Sequence, residues 1–206
     1  MRQVRRFVYL GLAGAIVMAA GATAQAAGRP GADPDWPCQR PKVAEFPLAS
    51  VWDGPLVDTS GTAWRDDPAV ARLAAEMSQR RVPIGDVKAA VDKLLAAADP
   101  QAKTKILTAF GAAFDDLVRQ RSEIIAGLDR FGRKQRDMAD RIRAENEAAH
   151  KDQTPGVATA DESLQKLQWD LRVFNDRRRT VSFVCDAPQA VEARIGAIVK
   201  IVRAAL

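Results

Sequence analysis

In 206 residues the chain carries 31 Lys and Arg against 26 Asp and Glu, a formal net charge of +5, with one histidine and two cysteines. A single histidine excludes any multi-histidine metal site, and a cysteine-based site would need further ligands close by. Three of the arginines, Arg2, Arg5 and Arg6, lie in the first residues with no acid beside them, so the chain beyond residue 26 is only +2. A nearly neutral surface does not call for nucleic acid or for an anionic bilayer as partner.

Those three arginines form a positive n-region. The apolar run Phe7–Ala20 follows, and Ala24-Gln25-Ala26 has A-x-A spacing. The run is short for a membrane span and fits a signal peptide, residues 1–26, cleaved before Ala27. No cysteine stands at the cleavage point. Export to a bacterial periplasm, or secretion, is the expected localisation, and membrane contact is expected only through this segment. About 180 residues remain, enough for one domain with its own core. In an oxidising compartment Cys38 and Cys185 read as one structural disulfide. A loop this long constrains the unfolded chain by roughly 4–5 kcal/mol in the loop-entropy model.

Residues 27–66 show no helical period and hold six of the eleven prolines, yet Trp36, Trp52 and Trp64 are interleaved with them. A disordered linker would not carry three tryptophans. The segment is predicted to be an extended arm lying along the helices, tethered by Cys38, with its rings filling grooves. The alternative is a docking strip offered to a partner, since aromatic side chains also anchor interfaces.

Helical structure is predicted from Pro68 to Arg81, capped by Asp66 or Asp67, and again from Asp86 to Ala98 after the break at Pro83. Residues 101–149 then read as one long helix. Leu107, Phe110, Phe114, Leu117, Ile124, Leu128, Phe131, Met138 and Ile142 recur in alternating threes and fours, with Arg121 and Gln135 as polar exceptions. That is a heptad seam. It is widened by Ile106, Ala113, Val118 and Ile125 in its first half, so several helices must cover it there. Beyond Phe131 only a narrow seam remains, suiting a single partner helix. Asp115/Arg119, Asp129/Arg133 and Asp137/Arg141 read as outward ion pairs. Gly111, Gly127 and Gly132 flank the seam and suggest close helix approach or a bend.

Thr154-Pro155-Gly156 signals a turn. Thr159 to Glu162 has capping-box spacing and opens a return helix, residues 160–185, with the seam Leu164, Leu167, Leu171, Phe174, Arg178, Val181 and Cys185. Two matched seams joined by a short loop specify an antiparallel hairpin. Folding the arms about the loop brings Met138 to Leu171, Gln135 to Phe174 and Phe131 to Arg178. A last helix, 187–206, follows Asp186. The expected fold is all-α: a long coiled-coil-like hairpin, short packed helices and the Pro/Trp-rich arm, with residues 67–206 forming the bundle.

For chemistry there is little. Glu147-Ala148-Ala149-His150 matches one half of a di-iron E-x-x-H pair, but the other half is missing. No phosphate-binding, dinucleotide, serine-nucleophile or zincin motif occurs. No enzyme and no cofactor are expected. The most suggestive polar feature is a basic cluster, Arg130, Arg133 and Arg136 opposite Arg177, Arg178 and Arg179. It fits an anionic ligand or acidic partner, or a solvated band neutralised by Asp129, Asp137, Asp170 and Asp176.

The Asp35-Trp36-Pro37-Cys38 start, the helical middle and Val184-Cys185-Asp186-x-Pro188 before an amphipathic C-terminus resemble a group of uncharacterised exported proteins of proteobacteria. The resemblance implies export and the disulfide, and it implies no activity. The expected function is a non-enzymatic interaction or scaffolding module, contacting an envelope protein or a second copy of itself through the hairpin. The alternative is a protein binding a small ligand or an anionic envelope component, in the groove between arm and bundle or at the arginine cluster.

Overall fold

The computed structural model describes residues 33–151 and 158–206, so the predicted signal peptide, the first residues of the arm and the Thr154-Pro155-Gly156 turn lie outside the described residues. Among the described residues the fold is all-α. Two single-turn 3-10 helices, Leu48–Ser50 and Ala63–Arg65, interrupt the arm. The α-helices are α1 (Pro68–Ser78), α2 (Ile84–Ala96), α3 (Ala102–Lys151), α4 (Ala158–Cys185) and α5 (Ala187–Ala205).

The start of α1 follows from its sequence. Asp67 accepts hydrogen bonds from the N–H groups of Ala69 and Val70 at 2.9 and 3.3 Å, and Pro68 fills the first turn. Its end does not. The apolar face suggests continuation to Arg81, but α1 stops at Ser78, with Gln79 extended. The reason lies over a hundred residues away. Arg194 of α5 donates to the carbonyls of Met77, Glu76 and Val82 at 2.7, 2.8 and 2.8 Å. A guanidinium thus satisfies carbonyls that the end of a helix leaves unpaired. Burial lowers the pKa of Arg194. Helix α2 begins at Ile84, two residues ahead of Asp86, because Pro83 with φ −58° sits directly in front of it as the N-cap. The return helix also starts earlier than its capping-box spacing suggests: α4 opens at Ala158, which places Thr159 inside the helix rather than at its cap.

Helix α3 has 50 residues, about 75 Å at ~1.5 Å per residue, and its two halves have different neighbours. The first half builds the core with α1, α2 and α5, where Met77, Val87, Ile106, Phe110, Ile195 and Val202 are fully buried. The second half pairs with α4 in an antiparallel hairpin. Arg141 meets Asp170 at 3.2 Å, Glu145 meets Lys166, and Met138 and Leu167 are buried between the helices. Of the three outward pairs expected along α3, only Asp115–Arg119 forms as such, at 3.3 Å. Asp129 turns instead to Lys42 of the arm at 2.7 Å, Arg133 to Asp35, and Arg141 crosses to α4.

The described part of the arm lies along α3 and is fastened at several points. Cys38 is bonded to Cys185 at the end of α4. Trp52 is buried against Phe110 with ring centroids 4.9 Å apart, and Phe46 stacks near Phe114 at 6.5 Å. Each such ring, once buried, contributes roughly 1.5–3 kcal/mol. Two of the three seam glycines serve this docking. A Cβ at Gly111 would strike the backbone of Asp58, and one at Gly132 would strike the carbonyl of Asp35 and the ring of Pro37. The close approach is made by the arm, not by another helix. Gly127 faces only the tip of Arg130, at 3.8 Å.

Alanine at these glycines should therefore give opposite signs. In the open at Gly196 or Gly127 it should stabilise by about 1 kcal/mol, the helix-propensity gain. At Gly132 or Gly111 it should destabilise by about 1–3 kcal/mol, because the arm backbone must lift. Chemical denaturation of the four variants checks the split.

A second expectation concerns acid. Lys105 of α3 holds Asp99 at 2.9 Å and Asp67 at 3.2 Å. The Asp67 carboxyl is lowered from its ordinary 3.8 by the N–H groups of Ala69 and Val70, and that of Asp99 by Lys105 and the Gln101 N–H. Groups lowered on folding stabilise fully above the ordinary carboxylate value and stop doing so as pH falls through the folded one. The melting temperature should thus drop below about pH 4. The Asp67→Asn, Asp99→Asn double variant, which keeps capping oxygens, should show a shallower acid limb.

Candidate interaction surface

Two arginines on helix faces that should be apolar tie the far ends of the chain together. Arg121 occupies a seam position of α3 and is only 2% exposed. Its Nε meets Glu192 of α5 at 2.7 Å, and Nη2 and Nη1 donate to the carbonyls of Val43 and Ala44 at 2.8 and 3.3 Å. The guanidinium also lies 5.3 Å from the Phe46 ring. A buried charge is tolerable here because its donors have acceptors, and deleting it would strand them. Arg194 plays the corresponding part on α5. Neither residue is available to a partner.

The same holds for much of the predicted interaction set. Trp52 is a core residue and presents no docking face. Its Nε1 donates to the Pro55 carbonyl at 2.8 Å. Trp36 is half-buried, donating to the Arg40 carbonyl at 2.6 Å, with Lys42 Nζ 6.0 Å from its ring. Trp64 packs against the core from outside, and Arg65 stacks 4.4 Å over it. The arm's rings turn inward or are capped by its own cations.

The arginine cluster separates into two groups. Arg133 and Arg136 both reach Asp35 of the arm, and Arg179 meets Asp176 at 3.5 Å. Arg130, Arg177 and Arg178 are exposed and make no ion pair among the described residues. Of the acids expected to neutralise the band, Asp129 is taken by Lys42 and Asp170 by Arg141.

What the seam reading did not single out is the opposite side of α4. Trp169 is 62% exposed and Phe183 78% exposed, and both lie off the seam that faces α3. Trp169, Asp176 and Phe183 are spaced seven residues apart and so share one helix face, while Arg172 and Arg179 flank it at the same interval. Leu164, Leu171 and Val184 add further exposed apolar surface on this helix. The signal was present in the sequence: large apolar residues remain in α4 after every seam position is assigned.

Two hollows lie along the arm. One, of about 440 Å³, runs under Trp64 between the Thr59–Thr62 turn and α1 and α3, floored by Ala74 and Ala112 and bordered by Asp115 and Arg119. The other, of about 250 Å³, lies between α3 and α4 beside Pro37. Among the described residues no group of His, Cys, Asp and Glu is arranged to hold a metal ion, and no helix is long and apolar enough to cross a membrane. The His150 side chain lies outside the described residues. No protein-family model, curated protein or solved structure matches the chain.

The fastening of the arm gives its own expectation. Arg121→Met removes the donors to Val43, Ala44 and Glu192, acceptors that water partly reaches, and should cost about 1–3 kcal/mol. Limited trypsin digestion should cut the Lys42–Val43 bond faster in that variant, while the Lys88 and Lys93 sites of α2 keep their rates. Acceleration spread evenly over the chain would contradict a local clamp.

Proposed function

We propose that the chain is an exported, non-enzymatic helical interaction protein of a bacterial periplasm, docking an envelope protein partner along the outer side of α4. The observation that carries this reading is the pair Trp169 and Phe183, large aromatic residues held in solvent on α4, whose main helical neighbour is α3. Exposed aromatic side chains on one helix face are anchors suited to a partner helix. Arg172 and Arg179 beside them favour a partner that carries acids next to its apolar residues. Export is supported by the positive n-region and A-x-A spacing, and the cystine is compatible with an oxidising compartment.

A second reading, a small polar ligand held under Trp64, is favoured by the 440 Å³ hollow between arm and bundle. A thermal-shift screen with envelope glycans should give a saturable rise in that case and none if α4 alone is the working surface.

Photo-crosslinking residues placed at 169 and 183 in the exported protein should each trap the same discrete species, and one at Lys93 on α2 should not. Phe183→Asp should abolish the product formed from position 169 while changing stability by less than about 0.5 kcal/mol, since the ring is exposed. A trapped species of twice the chain's mass would identify a second copy as the partner. Absence of product from 169 and 183, or identical products from 93, would refute the α4 surface.

A further inference from the structure

The smaller hollow, of about 250 Å³, lies at the level of the hairpin where both seams lose their apolar character. Phe131 and Ala139 of α3 and Phe174 and Val181 of α4 form its walls, and Pro37 of the arm closes one side. Such walls match a hydrocarbon chain. The polar groups are few and unequal. Arg136 lines the hollow but is committed to Asp35 of the arm. Arg178 lines it too, from a seam position of α4, and makes no ion pair among the described residues. Gln135, the remaining polar residue, has its Oε1 buried without a hydrogen-bond partner.

An apolar trough with one unneutralised guanidinium has the chemistry of a site for a singly charged amphiphile. We propose that it binds a medium-chain fatty acid, the carboxylate paired in fork geometry with Arg178 and the chain lying against Phe131, Phe174 and Val181. A guanidinium presents parallel donors that match one carboxylate. A doubly charged phosphate would call for a second uncommitted cation, and Arg136 already has its acid. The Gln135 amide stands beside the head position, where rotation about χ3 turns its N–H groups toward the carboxylate. The small volume sets the length, since a long acyl chain would have to leave the trough for solvent. The site uses neither Trp169 nor Phe183, so it stands or falls apart from the α4 surface.

Isothermal titration of the disulfide-bonded chain separates the contributions. Sodium decanoate should bind saturably at one site, with decanol, decyltrimethylammonium and decyl phosphate each at least tenfold weaker. Arg178→Gln, a change at an exposed side chain that leaves the fold in place, should weaken decanoate at least tenfold and leave decanol unchanged. Ala139→Leu, which fills the trough, should remove binding of every amphiphile. The proposal is overturned if decanoate fails to saturate, if the four amphiphiles bind alike, if decyl phosphate binds more tightly, or if Arg178→Gln binds decanoate as the parent does.

Discussion

The contact on which the rest depends is the backbone of the arm lying directly on α3. An extended chain rich in proline has few donors to offer, so it cannot join a sheet or a helix, and it gains stability only by pressing side chains into a surface. Here α3 supplies that surface by omitting two Cβ atoms, at Gly111 and Gly132. Each glycine forfeits about 1 kcal/mol of helix propensity, and the burial of Trp52 and the seating of Phe46 more than offset it. The cystine and Arg121 then fix the arm's position along the rod. Covalent closure limits how far the unfolded arm can wander, whereas Arg121 determines which carbonyls meet α3. One bond restricts the unfolded ensemble and the other specifies the folded register.

The large features of this fold were legible because they rest on periodicity, which needs no knowledge of neighbours. The two heptad seams give α3, α4 and their antiparallel pairing, and the pairing brings Gln135 and Phe131 level with Phe174 and Arg178 in one trough. The thick and thin halves of α3 follow from how wide its apolar stripe is at each level. Termini were less legible. That α1 stops at Ser78 depends on a guanidinium from α5, and no local pattern around residue 78 encodes that. Charge pairing failed in the same way. Asp129 and Arg133 have ideal spacing to meet each other, yet the arm's Lys42 and Asp35 lie closer to hand. The hydrogen bonds that Lys42 donates to Asp129 and Asp33 raise its pKa, as a bridging cation requires. Short-range rules assume an empty surface, and here the surface is occupied by chain from far away.

Polar residues on apolar helix faces divide into two kinds, and the division separates structure from candidate function. Arg121 and Arg194 are buried and their donors are engaged by named carbonyls or a carboxylate. Such satisfied polar groups specify geometry. Gln135 and Arg178 sit at comparable positions but are not satisfied in this way: one has a buried oxygen without a donor and the other a charge without a counter-ion among the described residues. An apolar residue at either site would have continued the seam and tightened the hairpin. Their placement at a single level, lining one hollow, is what the proposed ligand site rests on.

The exposed face of α4 poses the matching question for the apolar residues. A helix that packs on one neighbour should carry one apolar stripe, and Leu167, Phe174, Val181 and Cys185 already supply it, while the seam positions Leu164 and Leu171 stay exposed. Trp169 and Phe183 contribute nothing to that stripe and each leaves a large ring in water. Single exposed apolar residues are ordinary on protein surfaces, but two aromatic rings at heptad spacing on one face form a second stripe. The cationic neighbours argue against self-pairing as the natural use of it. Two copies would bring Arg172 and Arg179 against their own kind, with Asp176 alone to offset them, whereas a helix with acids beside its apolar residues would meet both demands at once. On the proposed reading, the basic flank narrows what the aromatic stripe can accept to partners with acids beside their apolar residues.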